Sequence, residues 1–267
     1  MQTVHYHLMS SSTYALITGA SKGIGKSIAN SLAKRKINVL LVARSQEALI
    51  QLAHELQTQY GIQAAYLAID LAETGAAQKV KNWCYQNAYS VHILVNNAGY
   101  GTWGRFDALT LKAQSEMLQL NMLTLVEMSY LLLPELKLHN QSYLLNVAST
   151  AAFQAMPSFS LYAASKSFVL SFSRGLRYEL KDSRISVTCL CPGPVNTGFV
   201  DRAGLSFMKA KAEKFGMMPD EVAETAIKAM FQKKSQIIPG FLNKISVFII
   251  PFLPKKWVEQ IAANIYN

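Results

Sequence analysis

Short apolar segments alternate with longer segments of helical periodicity along most of this 267-residue chain. Six segments have the length and composition of strands, namely Tyr14–Thr18, Val39–Ala43, Ala65–Ile69, His92–Val95, Tyr143–Val147 and Ile185–Leu190. Five segments between them have the length and apolar spacing of helices, namely Gly25–Lys36, Gln46–Tyr60, Thr74–Gln86, Leu111–Leu138 and Ser158–Leu180. Several of the strands are almost entirely apolar, as in a parallel sheet that helices cover on both faces. The alternation predicts an α/β fold with right-handed crossovers and a doubly wound parallel sheet.

No repeat or low-complexity linker interrupts this alternation, so we expect one Rossmann-type domain over residues 1–267. Its core is expected at residues 13–198, and residues 235–267 should extend it beyond a last strand at Gln236–Pro239. Hydrophobic residues make up 51% of the chain and charged residues 16%, which is typical of a packed globule.

Cysteine and charge content argue against several other kinds of site. Cys84, Cys189 and Cys191 form no CxxC pair or Cys/His cluster, so we expect no disulfide framework and no metal site, and a reducing cytoplasm fits.

The net charge of +10 is concentrated near the ends, with six Lys or Arg against one acid in residues 1–50. That cluster is either a solvated surface or faces an anionic ligand. No basic stripe interleaved with aromatics is present, so nucleic acid is not an expected partner.

Targeting and membrane-spanning patterns are not evident in the sequence. Residues 1–12 lack a basic segment followed by an apolar one, so no signal peptide is predicted. No apolar stretch approaches the roughly 20 residues that span a bilayer. The nearest is Ile245–Pro254, which Pro251 interrupts and Lys255 and Lys256 end. We therefore expect no transmembrane segment.

A glycine-rich turn, Thr18-Gly19-Ala20-Ser21-Lys22-Gly23-Ile24-Gly25, joins the first strand to the first helix. Glycines let a backbone turn tightly and approach a pyrophosphate, whose charge the helix N-terminus would meet. The spacing G-x-x-x-G-x-G differs from the common dinucleotide pattern G-x-G-x-x-G, and a turn of this kind also occurs for structural reasons alone.

The end of the second strand bears on cofactor choice. It continues as Arg44-Ser45, with no acid before Glu47. An acid there typically holds the ribose 2′-hydroxyl of NAD, whereas an arginine accommodates the 2′-phosphate of NADP. Arg44 would engage a phosphate through its planar guanidinium and Lys22 as a point charge. Together they favour NADP over NAD, although either alone is compatible with ordinary surface.

Several polar residues are placed where they could act together on a substrate. Tyr162 and Lys166 lie four residues apart in a predicted helix, so they share one face. An ammonium near a phenol favours the phenolate and lowers its pKa from about 10. Ser149 follows a predicted strand and could donate a hydrogen bond to a substrate oxygen. Asn121, inside an apolar helix, is either a satisfied core residue or part of the site.

Taken together, these motifs resemble the complete set of the classical short-chain dehydrogenase/reductase family. They are Gly19-x3-Gly23-x-Gly25, Asn96-Asn97-Ala98-Gly99, Asn121, Ser149, Tyr162-x3-Lys166 and Pro192-Gly193-Pro194-Val195-Asn196-Thr197. They follow the family's order and spacing over residues 13 to about 200, with no departure at a catalytic position. The resemblance implies an NADP(H)-dependent oxidoreductase that moves a hydride between its cofactor and a carbonyl/alcohol pair, without a metal.

The resemblance also implies a role for each residue. Tyr162 would be the general acid in reduction, Ser149 would polarise the carbonyl, and Lys166 would lower the Tyr162 pKa and hold the nicotinamide ribose. Asn121 would kink its helix around a water that links Lys166 to solvent. The implied cofactor-binding residues are Gly19, Ser21, Lys22, Gly23, Ile24, Gly25, Arg44, Asp70, Leu71, Asn97, Ala98, Gly99, Tyr162, Lys166, Pro192, Gly193, Val195 and Thr197. Asp70 and Leu71 would frame the adenine.

Two variable segments concern the substrate. Residues 199–218, from Phe199 to Met218, would form an apolar lid, or their large side chains simply pack on the core. Three lysines could attract a phosphate-bearing carrier or lie on a solvated face, namely Lys209, Lys211 and Lys214. The C-terminal tail, Asn243–Pro254 followed by Lys255-Lys256-Trp257, resembles that of DltE-type, long-chain ketoacyl and hydroxysteroid reductases, which suggests an apolar substrate. It could equally cover a subunit interface or touch a membrane surface.

A carbonyl reductase is the leading function on these grounds. A 3-oxoacyl-thioester reductase is the alternative within the same chemistry. A non-catalytic NADP(H) sensor would be expected to lack Tyr162 or Lys166, and both are present. A membrane-associated binding protein rests on the tail alone. We expect a homodimer, or a tetramer, that pairs Leu111–Leu138 and Ser158–Leu180 with their copies, because both helices are more apolar than one sheet face requires.

Overall fold

The computed structural model describes residues 12–205 and 216–266. Within them, seven strands form one parallel sheet in the order β3-β2-β1-β4-β5-β6-β7. The strands are β1 (Thr13–Thr18), β2 (Asn38–Ala43), β3 (Ala64–Ala68), β4 (Ser90–Asn96), β5 (Ser142–Val147), β6 (Ile185–Leu190) and β7 (Gln236–Ile237). The helices are α1 (Gly23–Lys34), α2 (Gln46–Tyr60), α3 (Ala76–Gln86), α4 (Leu111–Leu118), α5 (Thr124–Leu136), α6 (Ser160–Glu179), α7 (Phe199–Arg202), α8 (Pro219–Phe231), α9 (Phe241–Ile249) and α10 (Lys255–Tyr266).

Helices cover both faces of the sheet. Ala15 and Ile17 of β1 pack with α1, α2 and α8, whereas Leu16 between them packs with α3 and α5 on the other face. The alternation follows from the two-residue period of a strand. The winding reverses between β1 and β4, which are neighbours in the sheet. The predicted doubly wound α/β fold is therefore confirmed, and the reversal opens a crevice at the carboxyl ends of these two strands.

Several predicted element ends were wrong by one or two residues. Strand β3 begins and ends one residue earlier than expected, so Asp70 lies two residues beyond its end. Helix α1 starts at Gly23 and stops at Lys34, because Lys36 adopts a left-handed φ of 62°. The expected last strand is only two residues long. Helices α8, α9 and α10 were not predicted from the sequence.

The predicted helix Leu111–Leu138 is not one α-helix. A π-helical turn, Gln119–Leu123, joins α4 to α5 and places Asn121 at its centre. The continuous helical run Leu111–Leu136, which is 26 residues long, is also the one helix among the described residues that has the length and hydropathy of a membrane span. About 44% of its apolar window is buried, and its inner face packs on the sheet and α3. Core helices of other proteins have the same properties, so the run is weak evidence for a membrane segment.

Helices α1 and α8 are joined by a charged contact beside their apolar packing. The Arg35 guanidinium donates to both carboxylate oxygens of Glu224, at 2.5 and 3.0 Å, and the Ser31 hydroxyl donates to one of them at 2.9 Å. The hydrogen bond from Arg35 lowers the pKa of Glu224 to about 2. Because Glu224 is 39% exposed, solvent screens much of this interaction.

We predict that Glu224→Gln lowers the free energy of unfolding by about 1 kcal/mol at pH 7. A carboxyl whose pKa is lowered by folding stabilises the fold above its unfolded pKa and loses that effect as the pH falls towards 2. The difference from wild type should therefore shrink between pH 5 and 3, as measured by urea unfolding at each pH. Glu221→Gln, on the same helix but outside this contact, is the control. A difference that stays constant with pH would contradict the assignment.

Candidate active site

The carboxyl ends of β1 and β4 are held together by Thr18 and Asn97. The Thr18 hydroxyl accepts from the backbone N–H groups of Asn97 and Ala98, at 2.9 and 3.0 Å, and donates to the Val95 carbonyl at 3.2 Å. In return, the Asn97 amide donates to the carbonyls of Thr18 and Gly19, at 2.9 and 3.2 Å. The glycine-rich turn and the segment 97–99 therefore form one rigid edge of the crevice.

Two glycines of the turn combine a left-handed backbone with a lack of room for a side chain. Gly19 has a φ of +67°, and a Cβ there would lie 2.8 Å from the Asn97 amide nitrogen. Gly23 has a φ of +56°, and its Cβ would lie 2.9 Å from Thr197 Cγ2. Both positions need glycine for backbone conformation as well as for space. The structure thus brings the predicted glycine turn, Asn97 and Thr197 together.

The N-terminus of α1 is suited to an anion. Lys22 precedes the helix, no side chain caps it, and its first turn contains no acid. The positive end of the helix dipole is therefore not neutralised by the helix's own residues. The Lys22 ammonium lies beside residue 198, 3.2 Å from where a Cβ on Gly198 would be. These residues fit a phosphate-bearing cofactor, since amide groups, a helix end and a cation converge there.

A second cationic edge lies at the ends of β2 and β3. Arg44 donates to Asp70 across 3.4 Å, and Asp70 also accepts from the Ala72 backbone at 2.9 Å. Arg202 of α7 lies with its guanidinium 4.2 Å from the centre of the Tyr100 ring. Burial and the nearby Arg44 lower the pKa of Arg202. Two like charges are thus held close together with one carboxylate, which favours the binding of a further anion.

Tyr162 and Lys166 share the inner face of α6, as predicted. Lys166 is only 5% exposed, and its ammonium donates to the Val147 carbonyl at 2.9 Å and lies 5.8 Å from the centre of the Tyr162 ring. Burial lowers the pKa of Lys166 to about 8. The bond to Val147, the last residue of β5, fixes α6 against the strand that Ser149 follows.

Ser149 and Asn121 occupy defined positions around this pair. The Ser149 hydroxyl accepts from the Ala151 backbone at 3.1 Å and donates to the Pro192 carbonyl at 3.5 Å. The Asn121 side chain donates to the Tyr100 carbonyl at 2.9 Å and accepts from the Tyr100 N–H at 3.1 Å. A Cβ on Gly99 would lie 2.9 Å from Asn121 Oδ1 and 3.4 Å from Lys166 Nζ. Asn121 is therefore a satisfied buried residue and also a neighbour of the predicted catalytic lysine.

The beginning of the predicted lid packs next to Tyr162. The Phe159 ring stacks on the Tyr162 ring with 4.4 Å between centres, and the Phe199 ring lies 5.5 Å from it. The Trp103 N–H donates to the Ala203 carbonyl at 2.9 Å, which holds α7 over the loop after β4. Residues 206–215 of this segment lie outside the described residues, including Lys209, Lys211 and Lys214.

Three further predicted cofactor residues follow β6, at the same carboxyl edge of the sheet. Pro192 follows β6, and its carbonyl accepts from the Thr150 N–H at 2.9 Å. Val195 pairs with Met217 in an isolated parallel bridge. Gly193 packs against Asn243 of α9, whose amide nitrogen would be 2.5 Å from an added Cβ. By contrast, a cavity of about 470 Å³ between residues 154–157, α6 and Glu259 is lined by none of the predicted site residues.

Sequence reasoning missed three residues of this region. Thr18 lies in the predicted glycine turn but was not predicted as a site residue, although a hydroxyl residue directly before the first glycine is a usable signal. Arg202 and Asn243 had no such signal, because they lie in segments without a recognisable pattern. They reach the region only because α7 and α9 fold back over the loops that follow β4 and β6.

Comparison with known proteins agrees with this geometry. The sequence matches the short chain dehydrogenase family over residues 13–205. It is 34% identical over 207 residues to the very-long-chain 3-oxoacyl-CoA reductase of Anas platyrhynchos, covering 76% of this chain and 66% of that protein, so a third of the duck enzyme lies outside the match. It is 28% identical over 226 residues to the ketoacyl reductase HetN of Nostoc, covering 84% of this chain and 77% of that protein.

Among solved structures, a short-chain dehydrogenase from Sphingobium yanoikuyae in complex with NADPH is similar. Its TM-score is 0.79 at 27% sequence identity, and the match covers 91% of this chain and 97% of that one. The family match spans residues 13–205, and the structural match covers most of the chain. The chain therefore belongs to the short chain dehydrogenase family of oxidoreductases.

Proposed function

We propose that this chain is an NADPH-dependent reductase that converts an apolar ketone or aldehyde to an alcohol, and catalyses the reverse oxidation. The observation that carries the proposal is the position of Lys166, buried between the end of β5 and the Tyr162 ring. Burying an ammonium group costs free energy, so a buried lysine beside a phenol is best explained by a function. A nearby cation lowers the pKa of a phenol, which lets it act as an acid and a base near neutral pH. When bound, the nicotinamide cofactor would supply the hydride.

The protein's own groups would then handle the substrate oxygen. Tyr162 would donate its phenolic proton to that oxygen as the alcohol forms. Ser149 would turn its single O–H from the long 3.5 Å bond with the Pro192 carbonyl to the substrate oxygen, which would polarise the substrate carbonyl. Asn121 would act by position, because it holds both backbone groups of Tyr100 beside Lys166. Phe159 and Phe199 would keep water from the reacting carbon.

NADPH, rather than NADH, is proposed from the charges at the ends of β2 and β3. Arg44 takes the place of an acid that would hold a ribose 2′-hydroxyl. Its pairing with Asp70 is long and partly exposed, so a phosphate could displace it at little cost. Lys22 and Arg202 would add to the cationic potential of the crevice. Fold similarity does not decide this choice, since a neighbour from Burkholderia phymatum was solved with NAD.

A 3-oxoacyl thioester is the second candidate substrate. It is favoured by the two relatives above, whose names describe reductases of 3-oxoacyl-CoA and ketoacyl compounds. Both candidates present a ketone next to an apolar chain, so the same phenol and hydroxyl would serve. Oxidation of NADPH measured against aliphatic, aromatic and steroid ketones and acetoacetyl thioesters would separate them. No turnover with any of these would contradict the proposed function.

A homodimer and a cytoplasmic location complete the proposal. Leu123 and Tyr130 of the run Leu111–Leu136 are 52% and 76% exposed, and Tyr178 of α6 is 71% exposed. Large apolar side chains on two adjacent helices are what a helical dimer interface would bury. The three cysteines are buried and free, as suits a reducing compartment.

Tyr162 should carry the proton transfer. Tyr162→Phe should lower single-turnover oxidation of NADPH at least tenfold, because general acid catalysis contributes about 10²–10⁴ to the rate. Cofactor affinity, measured by fluorescence titration, should stay near wild type. Tyr178→Phe makes the same chemical change at an exposed position of the same helix and should change neither quantity. A Tyr162→Phe enzyme that kept more than about a tenth of the activity would refute the role of the phenol.

Arg44 should set the cofactor preference. Loss of a charge-assisted hydrogen bond costs about 1.5–3 kcal/mol, so Arg44→Asp should shift the ratio of NADPH to NADH affinity at least tenfold towards NADH. Dissociation constants for both cofactors, in both proteins, measure the shift. Lys181→Asp makes a similar charge reversal at the opposite end of the sheet, just before β6, and serves as the control. Equal wild-type affinity for the two cofactors would rule out the proposed preference.

Lys166 should make cofactor binding depend on pH. Burial lowers the pKa of this lysine to about 8, so the ammonium is present at pH 7 and lost as the pH rises through about 8. The dissociation constant of NADPH should therefore increase between pH 7 and 9.5 in the wild type. Lys166→Met should bind more weakly at pH 7 and show no such increase. An unchanged pH dependence in Lys166→Met would assign the titration to another group.

A further inference from the structure

The C-terminal segment concentrates exposed apolar surface. Of nineteen large hydrophobic side chains that are exposed among the described residues, nine lie within residues 241–261. They are Phe241, Leu242, Ile245, Phe248, Ile249, Phe252, Leu253, Trp257 and Ile261. Few side chains of this segment are buried against the rest of the protein, chiefly Asn243, Val247 and Val258. Such a patch is larger than the scattered apolar residues that ordinary surfaces carry.

Helix α9 is amphipathic, but its more apolar face points away from the protein. Its inner face contains Asn243, which packs on Gly193, and the buried Val247 four residues later. At 3.6 residues per turn, the five large apolar residues fall together in an arc of roughly 120° on the opposite face. That face includes Phe241 and Phe248, which are 76% and 71% exposed. The more apolar face of α9 is thus exposed, where an apolar partner could cover it.

Aromatic residues and lysines border this patch. The rings of Phe248 and Phe252 lie 5.6 Å apart, and Trp257 is 63% exposed in the first turn of α10. Lys255 and Lys256 begin α10, where two cations oppose the helix dipole and no acid accompanies them. Among the described residues, no ion pair engages either lysine or Lys244. Because all three lysines are exposed and form no ion pair among the described residues, their charge is available to an anionic partner.

We propose that residues 241–261 dock on an anionic lipid bilayer surface, with the apolar face of α9 and Trp257 in the interface and the lysines at the headgroups. The apolar run Phe241–Phe252 is twelve residues long, too short for the roughly 20 residues that span a bilayer. It would therefore lie parallel to the membrane plane. The proposal is independent of the reaction that the active site catalyses.

A second copy of the chain fits the same surface less well. A twofold interface places the same patch on both partners. It would bring Lys244, Lys255 and Lys256 of each copy to one buried boundary, with Glu259 as the one acid of the segment. Anionic headgroups complement that charge, whereas a second copy repeats it.

Co-sedimentation of the full chain with lipid vesicles tests the docking. Binding to vesicles of phosphatidylcholine with phosphatidylglycerol should be at least about tenfold tighter than to phosphatidylcholine alone, and should weaken with added salt. Phe248→Glu and Lys255→Glu/Lys256→Glu should each lose most of the binding. Tyr85→Glu, at an 85% exposed site on α3, and Lys79→Glu/Lys81→Glu are the matched controls and should bind like wild type.

A second measurement does not depend on a charged substitution. Brominated lipid should quench wild-type tryptophan fluorescence, and Trp257→Phe should lose most of that quenching while Trp83→Phe keeps it.

Failure of the wild type to sediment with anionic vesicles at low salt would overturn the proposal. So would full binding by Phe248→Glu, which would indicate attraction by charge without insertion. A light-scattering mass that falls from dimer to monomer in Phe248→Glu, without vesicle binding, would assign the patch to a second copy.

Discussion

The hydroxyl of Thr18 joins the two strands between which the winding of the sheet reverses. It accepts two backbone N–H groups from the loop after β4 and donates to the Val95 carbonyl, while Asn97 bonds back to the turn after β1. Loops at the ends of parallel strands have few backbone partners of their own, so such side-chain bonds decide their shape. With this edge rigid, the N-terminus of α1 points into the crevice, and Gly99 lies between Asn121 and Lys166.

The buried Lys166 connects stability with chemistry. Taking an ammonium out of water is unfavourable, as its lowered pKa of about 8 reflects. Hydrogen bonding to the Val147 carbonyl offsets part of that cost. The nearby π-helical turn is a second unfavourable local feature, because it departs from regular α-helical geometry. It contains Asn121, whose side chain bonds to the backbone of Tyr100. Irregularities of this kind cluster where a protein acts on a ligand.

Apolar residues have two different roles in the chain. Most of those of β1, β2, β4, β5 and β6 are buried in a sheet that helices cover on both faces. Those of α9 and the turn after it are exposed although their density is similar, because the helix turns its less apolar face to the protein. Composition alone does not distinguish the two. The direction of each side chain relative to the core does.

The sequence by itself determined the fold class, because strand-like and helix-like periods alternate and leave a parallel sheet as the consistent solution. It also placed Ser149, Tyr162, Lys166 and the glycine turn at carboxyl ends of strands or at the starts of helices, where local spacing carries the information. Helix α8 and the helices of the tail were not predicted, since their apolar faces make sense only against neighbours distant in sequence. Arg202 over Tyr100, Asn243 against Gly193, and the outward face of α9 were likewise decided by tertiary structure. Each depends on how one segment folds back over another, and no spacing within a single segment records that.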